Sequence, residues 1–329
     1  MKHLIRKIIL IFTCGCCVLE THAQDPQFTQ FYANSLYLSP SFAGAIKDSR
    51  VTASYRNQWT GLSNPFNTFN VAVDHFFHNI NSGIGLLAFR DQAGSLALST
   101  TSLGLLYSYN IPLSYKWYVR PGAGFYYTQR SIDYSDIILG DQIIPGGSGG
   151  SVNDLTGQHS NREMDFSASA LLVGNNVWAG FAFDHLLRPD RSLLGLQDRV
   201  PVKFSLHGGY RFVIKGYYLR PVQESVTAAF NYKQQGKHKQ FDMGLYWYKQ
   251  PIMVGIWYRG IPIVKNDYGT DALAFLVGIK LPNFNIGYSY DLTLSNFGVD
   301  SGGAHEISVT YEFSTVGRRR WKAVPCPEF

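Results

Sequence analysis

From Arg50 onward the chain alternates between apolar and polar side chains, in segments of about ten residues separated by turn-rich stretches. Val51, Ala53 and Tyr55 alternate with Thr52, Ser54 and Arg56, and Phe69, Val71 and Val73 with Asn70, Ala72 and Asp74. Met164, Phe166, Ala168 and Ala170 alternate with Glu163, Asp165, Ser167 and Ser169. Near the end, Ile307, Val309, Tyr311 and Phe313 alternate with Glu306, Ser308, Thr310 and Glu312. A period of two puts the two kinds of side chain on opposite faces of a strand, so the chain reads as all-β. The pattern predicts fourteen strands, near 50–59, 68–77, 82–90, 99–109, 117–130, 162–173, 177–184, 202–213, 222–233, 239–248, 252–259, 271–281, 284–292 and 305–313. Pro221 has no N–H for a ladder, so it must sit at a strand start or a bulge.

The connections decide between a barrel and a sandwich. Short ones (His78–Asn81, Ile111–Lys116, Gly174–Asn176, Lys249–Pro251, Pro282–Asn283) interleave with longer ones (Gly61–Asn67, Asp91–Leu98, Ser131–Asn161, His185–Pro201, Gly260–Thr270, Leu294–Ala304). A transmembrane β-barrel gives this rhythm directly, with tight turns at one rim and longer loops at the other. A soluble sandwich has no reason to keep it. Charged residues are only 16 % of the chain and aromatics reach 15 %, with 21 Tyr and 22 Phe. After the first twenty residues no apolar run approaches the ~18 residues of a helical span. The expected fold is an antiparallel transmembrane barrel of a bacterial outer membrane, over 50–313, with lipid against its outer face. An even strand number leaves both termini in the periplasm. Trp117, Trp178 and Trp247 fall near the turn rim and Trp59 and Trp257 toward the loop rim, as an interfacial girdle requires.

Three segments fall outside the strands. Residues 1–23 have a basic start (Lys2, Arg6, Lys7), an apolar run from Ile8 to Leu19 and a small residue at Ala23. They read as a secretory signal peptide cleaved after Ala23; the residues before Cys14, Cys16 and Cys17 make a poor lipobox. Residues 24–49 are aromatic, poor in charge and not alternating, and Phe28, Phe31, Tyr32 and Phe42 mark them as a plug or a docking segment. Residues 314–329 form a basic periplasmic tail in which Arg318, Arg319, Arg320, Trp321, Cys326 and Phe329 are candidate partner contacts. Cys326 is the one cysteine outside the leader, so neither an intrachain disulfide nor a thiol zinc cluster is expected.

Signals for chemistry are weak. Gly146-Gly147-Ser148-Gly149-Gly150 matches the spacing around a serine nucleophile, but its composition is that of a flexible loop rather than a strand–turn–helix elbow. Asp74-His75, Asp184-His185 and His305-Glu306 set acids beside histidines, yet neighbours on a strand face opposite ways and cannot orient one another. The net charge is +6, and the leader holds three basic residues and one acid, so about +4 remains on an exported chain. No catalytic residue, cofactor, metal or nucleic-acid partner is expected.

The segment Gln24-Asp25-Pro26-Gln27-Phe28-Thr29-Gln30-Phe31-Tyr32-Ala33-Asn34, continuing through Leu36-Tyr37-Leu38-Ser39-Pro40-Ser41-Phe42-Ala43-Gly44, resembles the N-terminal signature of the PorP/SprF family. Ser39 stands where that family often has Asn, and Ser41 where it often has Ala. The Cys-Pro at Cys326-Pro327 also looks like SprF-type members. The resemblance implies a non-enzymatic outer-membrane component of the type IX secretion and gliding apparatus. Its implied partners are the translocon and periplasmic ring proteins, with cell-surface adhesins bearing a type B C-terminal sorting domain as cargo. An outer-membrane porin or transporter for a small solute is the alternative; it would require an open, charge-lined lumen.

Overall fold

The computed structural model describes residues 25–46, 48–94, 98–132, 160–193, 197–216, 222–260, 272–294 and 302–313. Its strands are β1 (Ser49–Gln58), β2 (Phe66–Phe77), β3 (Ser82–Ala93), β4 (Leu98–Tyr109), the two-residue β5 (Ile111–Pro112), β6 (Tyr118–Ser131), β7 (Ser160–Val173) and β8 (Val177–Asp184). There follow β9 (Lys203–Lys215), β10 (Glu224–Gln235), β11 (His238–Lys249), β12 (Ile252–Gly260), β13 (Ala272–Lys280), β14 (Phe284–Thr293) and β15 (Ala304–Phe313). Every ladder is antiparallel. β1 pairs with β15 from Ser49↔Phe313 to Gln58↔Ala304, and β4 pairs with β6, so the sheet closes on itself. β5 prolongs the line of β4 onto β6 beyond Asn110. The ring therefore holds fourteen strands, and no described helix is long and apolar enough to cross a membrane.

The barrel is inverted relative to a water-soluble fold. On β1, Arg50, Thr52, Ser54 and Arg56 are buried, whereas Val51, Ala53 and Tyr55 face out. Phe69, Val71 and Val73 do the same on β2, and Leu86, Leu103, Leu105, Phe125, Met164, Phe212 and Leu245 continue the apolar exterior. Such a surface is stable only against hydrocarbon, and closure leaves no strand edge with unpaired backbone groups there.

β1 starts and β15 ends at the rim that carries the short turns. The rhythm of connections is not strict: 216–223 is a longer connection at the turn end, while at the loop end 94–97 spans four residues and Gly236-Lys237 is a tight turn, with Gly236 at φ +57°. Two tryptophans also depart from the expected girdle. Trp117 and Trp247 are exposed, but Trp178 and Trp257 point inward and are 1 % and 3 % exposed. A side chain built on Gly209 would strike Trp178, and one on Gly244 would strike Trp257, so small neighbours make room for both rings. They are buried because the lumen holds packed protein: residues 25–46, with the one-turn helix α1 (Ser35–Leu38) and the 3-10 turn Pro40–Phe42, lie inside the ring.

Candidate functional site

This inner segment runs the length of the lumen. Asp25 sits at the loop end, beside His185, Arg191 and Lys203. Ala43 and Gly44 lie at the turn end, against Ser108 and Asp74, and the chain then passes into β1. The start of β1 and the end of β15 lie at the turn rim, and Asp25 lies at the opposite end.

At the turn end the wall is cut to the segment's shape. A Cβ on Gly83 would overlap the Ala43 carbonyl, and one on Gly122 the backbone of Ser41. Gly44 adopts φ +63°, a conformation that costs glycine little, and donates its N–H to Asp74 at 2.9 Å. Asp74 also pairs with Arg50 at 2.9 Å, and Arg50 reaches the Ser35 hydroxyl. Arg120 donates to the carbonyls of Ser41 and Ala43 and lies over the Phe76 ring. Backbone groups that leave no room for water thus find partners on the wall. The apolar side adds Phe42 against His207 and Leu36, which is 1 % exposed.

Farther toward the loop rim, two carboxylates and two guanidiniums surround Thr29-Gln30. Glu306 accepts the backbone N–H of Thr29 at 2.6 Å and of Gln30 at 3.1 Å, and pairs with Arg56 at 3.2 Å. Asp291 accepts the Thr29 hydroxyl and pairs with Arg56 at 2.7 Å and Arg259 at 3.2 Å. The Gln30 amide donates to Ser289 and accepts from Ser308. Phe31 meets Trp257 edge-on at 4.7 Å, and Tyr32 meets Tyr246 at 5.1 Å. Two positive and two negative groups, multiply hydrogen-bonded, are what allow these charges to be buried.

At the loop end the lumen widens into a vestibule of about 680 Å³. Its floor is Asp25-Pro26-Gln27 with Tyr37. Asp25 contacts His185 at 2.7 Å, Arg191 at 3.1 Å and Lys203 at 3.2 Å. Behind these stand Asp165 on His185, Glu163 on Arg191 and Asp184 on Lys203. Burial by itself would raise the Asp25 carboxyl, but the three cations outweigh it and hold it well below the usual carboxylate range. Burial also disfavours the His185 charge; Asp25 and Asp165 reverse that and push it up to about 9. His185 is therefore an imidazolium at neutral pH.

Of the residues singled out in the sequence, Phe28, Phe31, Tyr32 and Phe42 come together within the lumen, each no more than 6 % exposed. Arg318, Arg319, Arg320, Trp321, Cys326 and Phe329, like Ser148, lie outside the described residues. Sequence reading missed the wall charges Arg50, Arg56, Asp74, Arg120, Arg259, Asp291 and Glu306. The available signal was ionised side chains on the inward face of mid-strand, in a chain otherwise poor in charge. Two acid–histidine neighbours face apart as expected: Glu306 points inward while His305 lies against Tyr290, and Asp74 points inward while His75 reaches Ser49. Asp184-His185 does not. β8 ends at Asp184, His185 turns to φ +60°, and both join the network around Lys203 and Asp25.

Among the described residues, no group of three His, Cys, Asp or Glu side chains could hold a metal ion. No curated protein matches the chain. Solved structures similar to it include the Acinetobacter baumannii outer membrane protein Omp33, at 10 % identity, TM-score 0.47, covering 82 % of this chain and 100 % of that one. The P. putida toluene transporter TodX matches at 11 % identity and TM-score 0.49 over 84 % and 93 %, and a Pseudomonas aeruginosa FadL homologue at 12 % and 0.46 over 86 % and 94 %. The family model described as "Type IX secretion system membrane protein PorP/SprF" matches residues 20–311.

Proposed function

Because the chain belongs to the PorP/SprF family of type IX secretion system membrane proteins, we propose that it serves that system as a non-enzymatic outer-membrane subunit. In this role it assists secretion or surface attachment of cargo adhesins that carry a type B C-terminal sorting domain. The barrel and the family support an outer-membrane location. The observation that carries the reading is the occupied lumen: a segment bonded to the wall at both ends and between them suits a closed scaffold better than a solute channel. Residues 25–46 act as a plug. The turn rim faces the periplasm, where the translocon and ring proteins would meet the short turns and the basic tail 314–329. Residues 1–23 are the leader that directs export. On this orientation Asp25 lies in the outward half of the barrel.

The test is cargo display in a strain lacking the protein and complemented with the full chain or with a chain lacking 317–329. Restoration by the full chain alone supports both the role and the tail contact. Restoration by both removes the tail from the proposal. Normal cargo display in the deletion strain itself refutes the secretion role and leaves the solute-transporter reading, for which the charged vestibule offers a place to bind.

A further inference from the structure

Between the inner segment and the β9–β11 wall lies a second space of about 60 Å³, adjoining the vestibule, with which it shares Asp25, Gln27, Tyr37, Lys203 and Gln240 as lining. By volume it suits a few waters or one small polyatomic ion. Lys203 and Lys233 line it from the wall, with the exposed Lys237 and Lys239 at its outer edge, and Asp25 is the one carboxylate among the lining residues. Lys203 is held by both Asp25 and Asp184, which leaves Lys233 as the wall cation without a close carboxylate among the described residues. Asp25 is already in contact with three cations. The carboxylate nearest Lys233 is Asp242, at 3.8 Å, and Asp242 is shared with Arg259 at 3.9 Å and with the Gln240 amide at 2.6 Å. Arg259 has a closer partner in Asp291 at 3.2 Å, whereas the half-buried Lys233 has only Asp242, at the margin of contact, among the ion pairs of the described residues.

Two neutral groups in the same lining point the same way. Ser205 is 1 % exposed and Gln235 8 % exposed, and neither the Ser205 hydroxyl nor the Gln235 amide nitrogen has a hydrogen-bond partner among the described residues. A buried donor left unmade costs about 1–3 kcal/mol, so a fold retains such groups where something completes them. Surplus cation plus two idle donors around a space of this size define a receptor for negatively charged oxygen, as Lys serves for phosphate and carboxylate elsewhere.

We infer that this space is an oxyanion-binding site, taking a carboxylate or phosphate group that arrives through the vestibule, with Lys233, Ser205 and Gln235 as its contacts. The site adjoins Asp25, so its occupant shares Lys203 with the end of the inner segment. The inference is independent of the secretion role.

Calorimetric titration of the detergent-solubilised full chain with inorganic phosphate or with acetate, at ionic strength held constant with sodium chloride, tests it. Saturable binding of either anion is expected, and the tighter of the two identifies the oxyanion class. Lys233→Met should weaken binding about tenfold or more, and Lys233→Arg should retain it. Should Lys233→Met fail to give a folded barrel by heat-modifiable gel migration, Gln235→Leu, which keeps all charges, must weaken binding instead. No saturable heat with either anion, or an unchanged affinity in the folded variant, overturns the site.

Discussion

The two ends of the lumen hold the same segment by different physics. At the turn end, recognition is by shape and backbone: absent side chains at Gly83 and Gly122, Arg120 on two carbonyls, and Asp74 on the Gly44 N–H. At the loop end it is by side-chain charge around one carboxylate, Asp25, beside a wide vestibule. Buried contacts are screened little by salt, whereas ion pairs next to water are weakened by it. The difference teaches that the turn-end half of the segment is part of the barrel's structure, while the loop-end half can be loosened without unseating the rest.

The largest effect that would sharpen this comparison belongs to the junction between the two halves. Glu306→Ala leaves two backbone N–H groups and Arg56 without their acceptor, and breaking a buried pair in this way costs about 3–5 kcal/mol. Equilibrium urea unfolding of the refolded barrel should show that loss. An unchanged midpoint would mean that Thr29-Gln30 is not held at Glu306.

Next comes the turn-end seat. Gly83→Val forces a side chain into the Ala43 carbonyl and should destabilise by about 1–3 kcal/mol or displace the segment. Protease sensitivity near residues 40–46, compared with wild type, reads the displacement; wild-type protection would break the shape argument.

Asp25→Asn should be smaller in stability and different in kind. It removes the charge that His185, Arg191 and Lys203 share. Hydrogen exchange should accelerate over residues 25–31 and stay unchanged over 39–44. Equal acceleration at both ends would erase the distinction between them.

Smallest is the pH response. The folded value of His185 is raised to about 9, so its contribution is complete below its ordinary value near ~6.5 and disappears as pH rises through about 9. The Asp25 contribution has the opposite sense: it is present above the ordinary carboxylate value and is lost as pH falls through the depressed one. The loop-end contact should therefore be tightest between about pH 4 and 6.5 and loosen toward pH 10. Protection factors at residues 25–31, the intrinsic exchange rate at each pH divided by the observed one, check the sign over that range; weaker protection at pH 5 than at pH 10 would refute it.

How much of this was legible in the sequence follows from the range of the forces involved. All fourteen barrel strands were predicted to within three residues, because lipid on one side and lumen on the other impose a local period of two. The path of the inner segment has no such period. Thr29 meets Glu306 across 277 positions and Ser41 meets Ser169 across 128, and no local pattern encodes either contact. The aromatic character of Phe28–Phe42 announced a contact surface, but only the fold supplies the surface it contacts. Trp178 and Trp257 show the limit from the other side: a ring near a rim satisfies a girdle or a packed lumen equally well, and Gly209 and Gly244 decide for the lumen.

The most direct measurement is single-channel conductance in a planar bilayer, for the full chain and for a chain lacking residues 25–46. A closed barrel predicts no stable conductance from the full chain and a steady open channel from the shortened one. A steady open channel from the full chain would contradict the claim that the inner segment closes the lumen.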